Sequence, residues 1–117
     1  MDQLVAKAKS IAFQAHAGQT DRAGKPYTDH LEFVAANVSS DEAKCVAYLH
    51  DVLEDTDYPP EKIKTIFGDA IFSAVYAMTR QKEESYSDYI RRVAENPLAA
   101  RVKIADLTHN MKFPLNF

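Results

Sequence analysis

His50 and Asp106 stand where the hydropathy pattern calls for apolar side chains. His50 closes a stripe formed by Ala43, Val46 and Ala47, which recur at helical spacing. Asp106 follows Val102 and Ala105 on a second such stripe. His30 lies in the helical segment before the first stripe, and Asp51 adjoins His50. An ionised carboxylate in an apolar groove is costly unless it is paired, hydrogen-bonded or bound to a metal. Two imidazoles and two carboxylates form a mixed nitrogen and oxygen ligand set. That set suits a divalent first-row ion such as Mn²⁺, Fe²⁺, Co²⁺ or Zn²⁺. The single cysteine, Cys45, excludes a Cys-rich structural zinc site. Glu54 and Asp55 follow His50 and Asp51 one helical turn later. Water on a metal has a depressed pKa, and a carboxylate beside it can orient it or take its proton. The residue types and spacing point to metal-assisted hydrolysis.

These side chains need elements to position them, and the periodicity supplies helices. Leu4, Val5, Ala8, Ile11, Ala12 and Ala15 define one face of a first helix that stops before Gly18. Residues 18–26 gather two glycines and a proline and read as a loop. A second helix is expected over 28–38. A third starts from the capping residues Ser39, Ser40 and Asp41 and carries His50. The acidic stretch Glu54-Asp55-Thr56-Asp57 and the pair Pro59-Pro60 end it. A short helix runs from Pro60 or Glu61 to Phe67, with Gly68 as its stop. Ile71, Ala74, Val75 and Met78 mark the next. Ser85 caps one carrying Tyr86, Ile90, Val93 and Ala94. Asn96-Pro97 opens the last, which presents Val102, Ala105, Asp106 and His109 on one side and ends at Pro114. The chain shows no strand alternation of useful length and no internal repeat. The expected fold is all-α: a compact bundle of six or seven helices in a single domain, 1–117.

Composition narrows the function classes. Hydrophobic residues make up 46% and charged residues 26%, a globular balance. Only three glycines and five prolines occur, so turns are few and long helices are favoured. The net charge of −3 argues against non-specific nucleic-acid binding, which needs a basic face. No apolar run is long enough to span a membrane. Met1-Asp2-Gln3 lacks the layout of a signal peptide. The lone cysteine fits a reducing compartment, and a cytoplasmic protein is expected.

Five segments carry a family resemblance: Ala15–Gln19, Gly24–His30, His50–Thr56, Ile66–Gly68 and Val102–Met111. In this order they resemble the HD-domain metal-dependent phosphohydrolases, in particular the hydrolase domain of RelA/SpoT-type alarmone enzymes and their small stand-alone relatives. The resemblance implies that His30, His50, Asp51 and Asp106 bind the metal, with Mn²⁺ as the usual ion. It implies that Glu54 and Asp55 handle the attacking water, and that Asn110 lies near the sugar or phosphate of the substrate. The implied reaction removes the 3′-pyrophosphate of ppGpp or pppGpp. Arg22 and Lys25, flanking the loop glycine, are expected to meet substrate phosphates. Tyr27 is grouped with the substrate residues, with packing as its other role. His16 and His109 are expected to support the site rather than bind the metal, and Cys45 to be a buried hydrophobe.

Two departures from the family pattern keep alternatives open. Asp21 stands where the bifunctional enzymes carry an arginine that packs on guanine, with Arg22 one residue later. Another nucleotide or a phosphomonoester is the alternative substrate. The chain also stops soon after Asn110-Met111, at Lys112–Phe117, where relatives continue. A catalytically silent metal- and nucleotide-binding module is the other alternative. Phe113, Leu115 and Phe117 either close the core or form a patch for a partner.

Overall fold

The structure, a computed structural model, describes residues 2–21 and 23–112. The helices are α1 (Asp2–Ala15), α2 (Thr28–Ala36), α3 (Asp41–Leu49) and α4 (Val52–Asp55), then α5 (Pro60–Phe67), α6 (Asp69–Ala77), α7 (Tyr86–Ala94) and α8 (Pro97–Lys112). Among the described residues there is no strand, only an isolated bridge between Thr20 and Pro26. The all-α bundle expected from periodicity is present, with seven helices if α3 and α4 count as one interrupted helix. No described helix is long and apolar enough to cross a membrane.

Capping chemistry sets most boundaries. Ser40 Oγ accepts from the Ala43 N–H at 3.0 Å, and Ser85 Oγ from the Asp88 N–H at 3.1 Å. Asn96 Oδ1 does the same for the Ala99 N–H at 3.0 Å, and Pro97 takes the first helical position. Gly68, at φ 90° and ψ 173°, separates α5 from α6 in a conformation essentially reserved for glycine. Helix α2 stops at Ala36, two residues before the expected end. Two of its last carbonyls find side-chain partners instead: Asn37 Nδ2 donates to that of Phe33 and Lys44 Nζ to that of Ala35, and Lys44 Nζ also holds the Val38 carbonyl just beyond.

The third helix departs most from expectation, because it does not run through to the acidic stretch. It ends at Leu49, and His50 and Asp51 form a turn before α4 starts at Val52. His50 Nδ1 donates to the carbonyl of Ala47 at 2.7 Å. That carbonyl is the one a continuing helix would offer to the Asp51 N–H, so the side chain competes with the ladder.

Helix α3 is the centre of the bundle and packs against α1, α2, α6 and α8. It is buried nearly all round, with Cys45, Val46, Ala47 and Leu49 at 0% exposure. A helix whose last five residues, Cys45 to Leu49, are all buried belongs in the middle of a core. Burial pushes the Cys45 thiol up to about 11, so it packs as a small hydrophobe. Arg22, Phe113, Pro114, Leu115 and Phe117 lie outside the described residues.

Candidate metal centre

Helices α2 and α8 and the α3–α4 turn bring His30, Asp106 and His50 together. One donor atom from each lies within 4.8 Å of the other two. All three side chains are buried, at 2%, 7% and 2% exposure. His30 and Asp106 are 76 positions apart in the chain, yet His30 Nε2 is 2.8 Å from Asp106 Oδ1. Asp51 stands at the edge of this trio, with Oδ2 3.1 Å from His50 Nε2. The Tyr27 hydroxyl donates to that same oxygen.

The tautomers follow from the surroundings. Ala47's carbonyl can only accept, so His50 Nδ1 carries the hydrogen and Nε2 presents a bare lone pair. That Nε2 is buried and has no hydrogen-bond partner. It faces Asp51 Oδ2 at 3.1 Å and Asp106 Oδ1 at 3.6 Å. A lone pair facing two carboxylates is repulsive in a desolvated site, and a divalent cation among them reverses the sign. His30 Nδ1 is 2.6 Å from His109 Nδ1. A hydrogen given to His109 leaves His30 Nε2 as a lone pair toward Asp106, the usual arrangement of a metal-ligating imidazole. The donor set therefore fits a divalent ion.

The charges point the same way. Burial drives the Asp51 carboxyl well above its usual range, and the negative charges of Asp106, Asp55 and Glu54 add to the effect. Asp106 differs, because the Lys103 ammonium stands 3.0 Å from its Oδ2. Asp106 thus has a cation beside it, and Asp51 has only the Tyr27 hydroxyl and His50.

Around the trio, the remaining expected residues take varied positions. Glu54 and Asp55 are exposed on α4, one turn from the buried histidine. Glu54 Oε1 accepts the Arg80 backbone N–H at 2.7 Å, and Gln19 Nε2 donates to the Asp55 carbonyl at 3.3 Å. Asn110 sits one turn after Asp106 on α8, and its Oδ1 is buried with no partner. Lys25 is exposed in the loop. Tyr27 packs between the rings of His16 and His30, at 5.0 and 5.6 Å, and its hydroxyl holds Asp51. Asp21 turns inward on its own loop, where Oδ1 accepts the N–H groups of Ala23 and Lys25 at 2.9 and 3.0 Å.

Three supporting residues complete the site. His109 lies against His30 and stacks on Phe33 at 4.4 Å. His16 is 1% exposed and bonds Gln19 Oε1 through Nδ1 at 2.8 Å. Lys103 Nζ donates to Asp106 Oδ2 at 3.0 Å. Sequence reasoning gave Lys103 no role. Its signal was a lysine three residues before Asp106 on a helix whose neighbouring positions are apolar.

Fold and site together define a class. The HD domain family matches residues 8–114, and the chain belongs to that family. Its relatives include a probable guanosine-3′,5′-bis(diphosphate) 3′-pyrophosphohydrolase of Synechocystis sp., 35% identical over 93% of this chain and 16% of that protein. A guanosine-3′,5′-bis(diphosphate) 3′-pyrophosphohydrolase of Haemophilus influenzae is 34% identical over 87% of this chain and 17% of that protein. The chain thus spans about a sixth of the length of these curated relatives. A solved structure of a metazoan ortholog of SpoT, described as hydrolyzing ppGpp and playing a role in starvation responses, superposes with a TM-score of 0.78. It is 25% identical and is matched over 94% of this chain and 69% of that one.

Proposed function

We propose that this chain is a metal-dependent phosphohydrolase that removes the 3′-pyrophosphate of ppGpp or pppGpp. The observation that carries this reading is the buried, partnerless His50 Nε2 between two carboxylates. The names of the relatives supply the substrate. His30 Nε2, His50 Nε2, Asp106 Oδ1 and Asp51 Oδ2 would hold the ion, which we assign as Mn²⁺ from the mixed donor set and the family resemblance. When bound, the ion lowers the pKa of water and polarises a phosphate oxygen.

The chain's own residues do the rest. Tyr27 keeps Asp51 turned toward His50, and His109 fixes the tautomer of His30. Glu54 is anchored through Oε1 on Arg80, which leaves Oε2 to accept the proton of the attacking water. Asp55, tethered through its carbonyl by Gln19, orients the same water. Water adds to the phosphorus bonded to the ribose 3′ oxygen, and the P–O bond to that oxygen breaks. The 3′ oxygen takes up a proton, which the Glu54 carboxyl can return, and GDP (or GTP) and pyrophosphate leave. Asn110 Oδ1 offers an acceptor to the nucleotide, and Lys25 with Arg22 draws its phosphates into place.

The test is incubation of the purified chain with Mn²⁺ and ppGpp. GDP and pyrophosphate should form, stop forming with EDTA and return with added Mn²⁺. Protein shown to hold Mn²⁺ yet giving no product would overturn the substrate assignment. Asp21 favours a second reading, in which the substrate is another phosphorylated nucleotide. A carboxylate sealed into its own loop supplies no guanidinium to stack on guanine. A panel of nucleotides, with ppGpp the poorer substrate, would select it.

A further inference from the structure

We propose that Lys103 is a positioning residue of the metal centre, holding one oxygen of Asp106 so that only the other is offered to the cation. The inference rests on the reading of His30, His50 and Asp106 as ligands. The Asp106 carboxylate is divided between two sides. Oδ1 faces His30 Nε2 at 2.8 Å and His50 Nε2 at 3.6 Å, while Oδ2 accepts from Lys103 Nζ at 3.0 Å. Charge-assisted bonds of this kind hold a rotor in one orientation.

Lys103 is itself held. Its side chain is 15% exposed, and the ammonium lies 5.2 Å from the centroid of the Tyr89 ring. That ring is fixed in turn, because the Tyr89 hydroxyl donates to the Met78 carbonyl at 2.9 Å.

Two consequences follow from the arrangement. A carboxylate that binds through one oxygen takes one coordination position, and through both oxygens it takes two. Lys103 on Oδ2 therefore leaves a position open for water or for a phosphate oxygen. It also changes the charge. Asp51 and Asp106 would cancel a divalent ion, and the ammonium would add one positive charge beside it toward a polyanionic substrate.

The experiment compares wild type, Lys103→Met and Lys103→Arg as full chains. Mn²⁺ affinity is read by calorimetry, fast-exchanging water by proton relaxation enhancement, and turnover with ppGpp. Methionine keeps the buried stem and removes the cation. Lys103→Met should bind Mn²⁺ at least as tightly as wild type, because Oδ2 is freed and a repelling charge is gone. It should lose one fast-exchanging water, and its kcat should fall about 10–100-fold, the scale of outer-shell changes at metal sites. Lys103→Arg keeps a charged donor and should recover most of the lost water and rate. A structural ion pair would behave differently: Mn²⁺ affinity, melting temperature and activity would fall together, and that result overturns the inference. So does a Lys103→Met protein that matches wild type in all three measurements. A wild-type chain that binds no Mn²⁺ overturns both the ligand reading and this one. Wild-type binding without the divergence in Lys103→Met overturns this one alone.

Discussion

His50 donates from Nδ1 to the Ala47 carbonyl, and that bond has two effects. It interrupts the helix after Leu49, and it leaves Nε2 without a hydrogen in a buried site. The same economy recurs at Asp21, whose carboxylate closes the loop through Ala23 and Lys25. At an Asx-type turn an aspartate is a builder, and an arginine could not make those acceptor bonds. Glu54 differs from both because one of its oxygens is anchored and the other is free. Glu54→Gln keeps the shape and the bond to Arg80 but cannot take a proton. It should lower kcat by about 10²–10⁴ while Mn²⁺ affinity stays unchanged, since general-base assistance is worth that much. Steady-state assays with parallel calorimetry check it, and unchanged turnover would remove Glu54 from the water-handling role.

Among the elements, α4 carries the acidic pair and the α6–α7 connection anchors it through Glu54. The connection is tied down by Arg92 on α7, which donates to Glu84 at 2.8 Å and to the Thr79 carbonyl at 2.9 Å. Arg80 in the same stretch is the residue whose N–H anchors Glu54. The Arg92 bond, together with the Gln81 N–H, holds the Glu84 carboxyl down at about 2 against an ordinary value of 4.5. A depressed carboxylate stabilises the fold above its unfolded pKa and loses that contribution as pH falls toward its folded one. Wild type should therefore be more stable than Glu84→Gln by a constant margin above about pH 5, and the margin should shrink as pH drops from 4.5 toward 2. Urea unfolding of both proteins across that range is the measurement. A margin that does not change with pH would show that the Glu84 charge is not what ties the connection.

For the whole molecule, the centre joins elements from both ends of the chain. His30 comes from α2, His50 from the α3–α4 turn and Asp106 from α8. An ion held by all three links the bundle across its middle and binds the folded state alone. At one hundred times its dissociation constant, Mn²⁺ should stabilise the fold by about 2.7 kcal/mol. Thermal denaturation with Mn²⁺ and with EDTA reads this directly. Asp106→Asn should abolish most of the difference, and an equal melting temperature in both buffers would count against a shared ion.

Local signals decided much of this protein. Apolar residues at helical spacing, with proline and glycine at the ends, set most of the helices close to their observed limits, and Ser40, Ser85 and Asn96-Pro97 marked starts that the caps reproduce. Those effects act within one turn, so a sequence can carry them alone. The types of the candidate ligands were legible for the same reason, since a histidine or aspartate on an apolar stripe is conspicuous wherever the stripe packs. The break at His50 was not legible, because the Ala47 carbonyl can accept from the backbone or from the His50 ring, and the sequence does not say which. The division of Asp106 between His30 and Lys103 and the contact of Tyr27 with Asp51 were likewise settled only in three dimensions. The partners His30 and Asp106 lie 76 residues apart, and Tyr27 and Asp51 lie 24 apart. No local propensity reaches that far, and only burial of the shared core around α3 brings such groups within a hydrogen bond of one another.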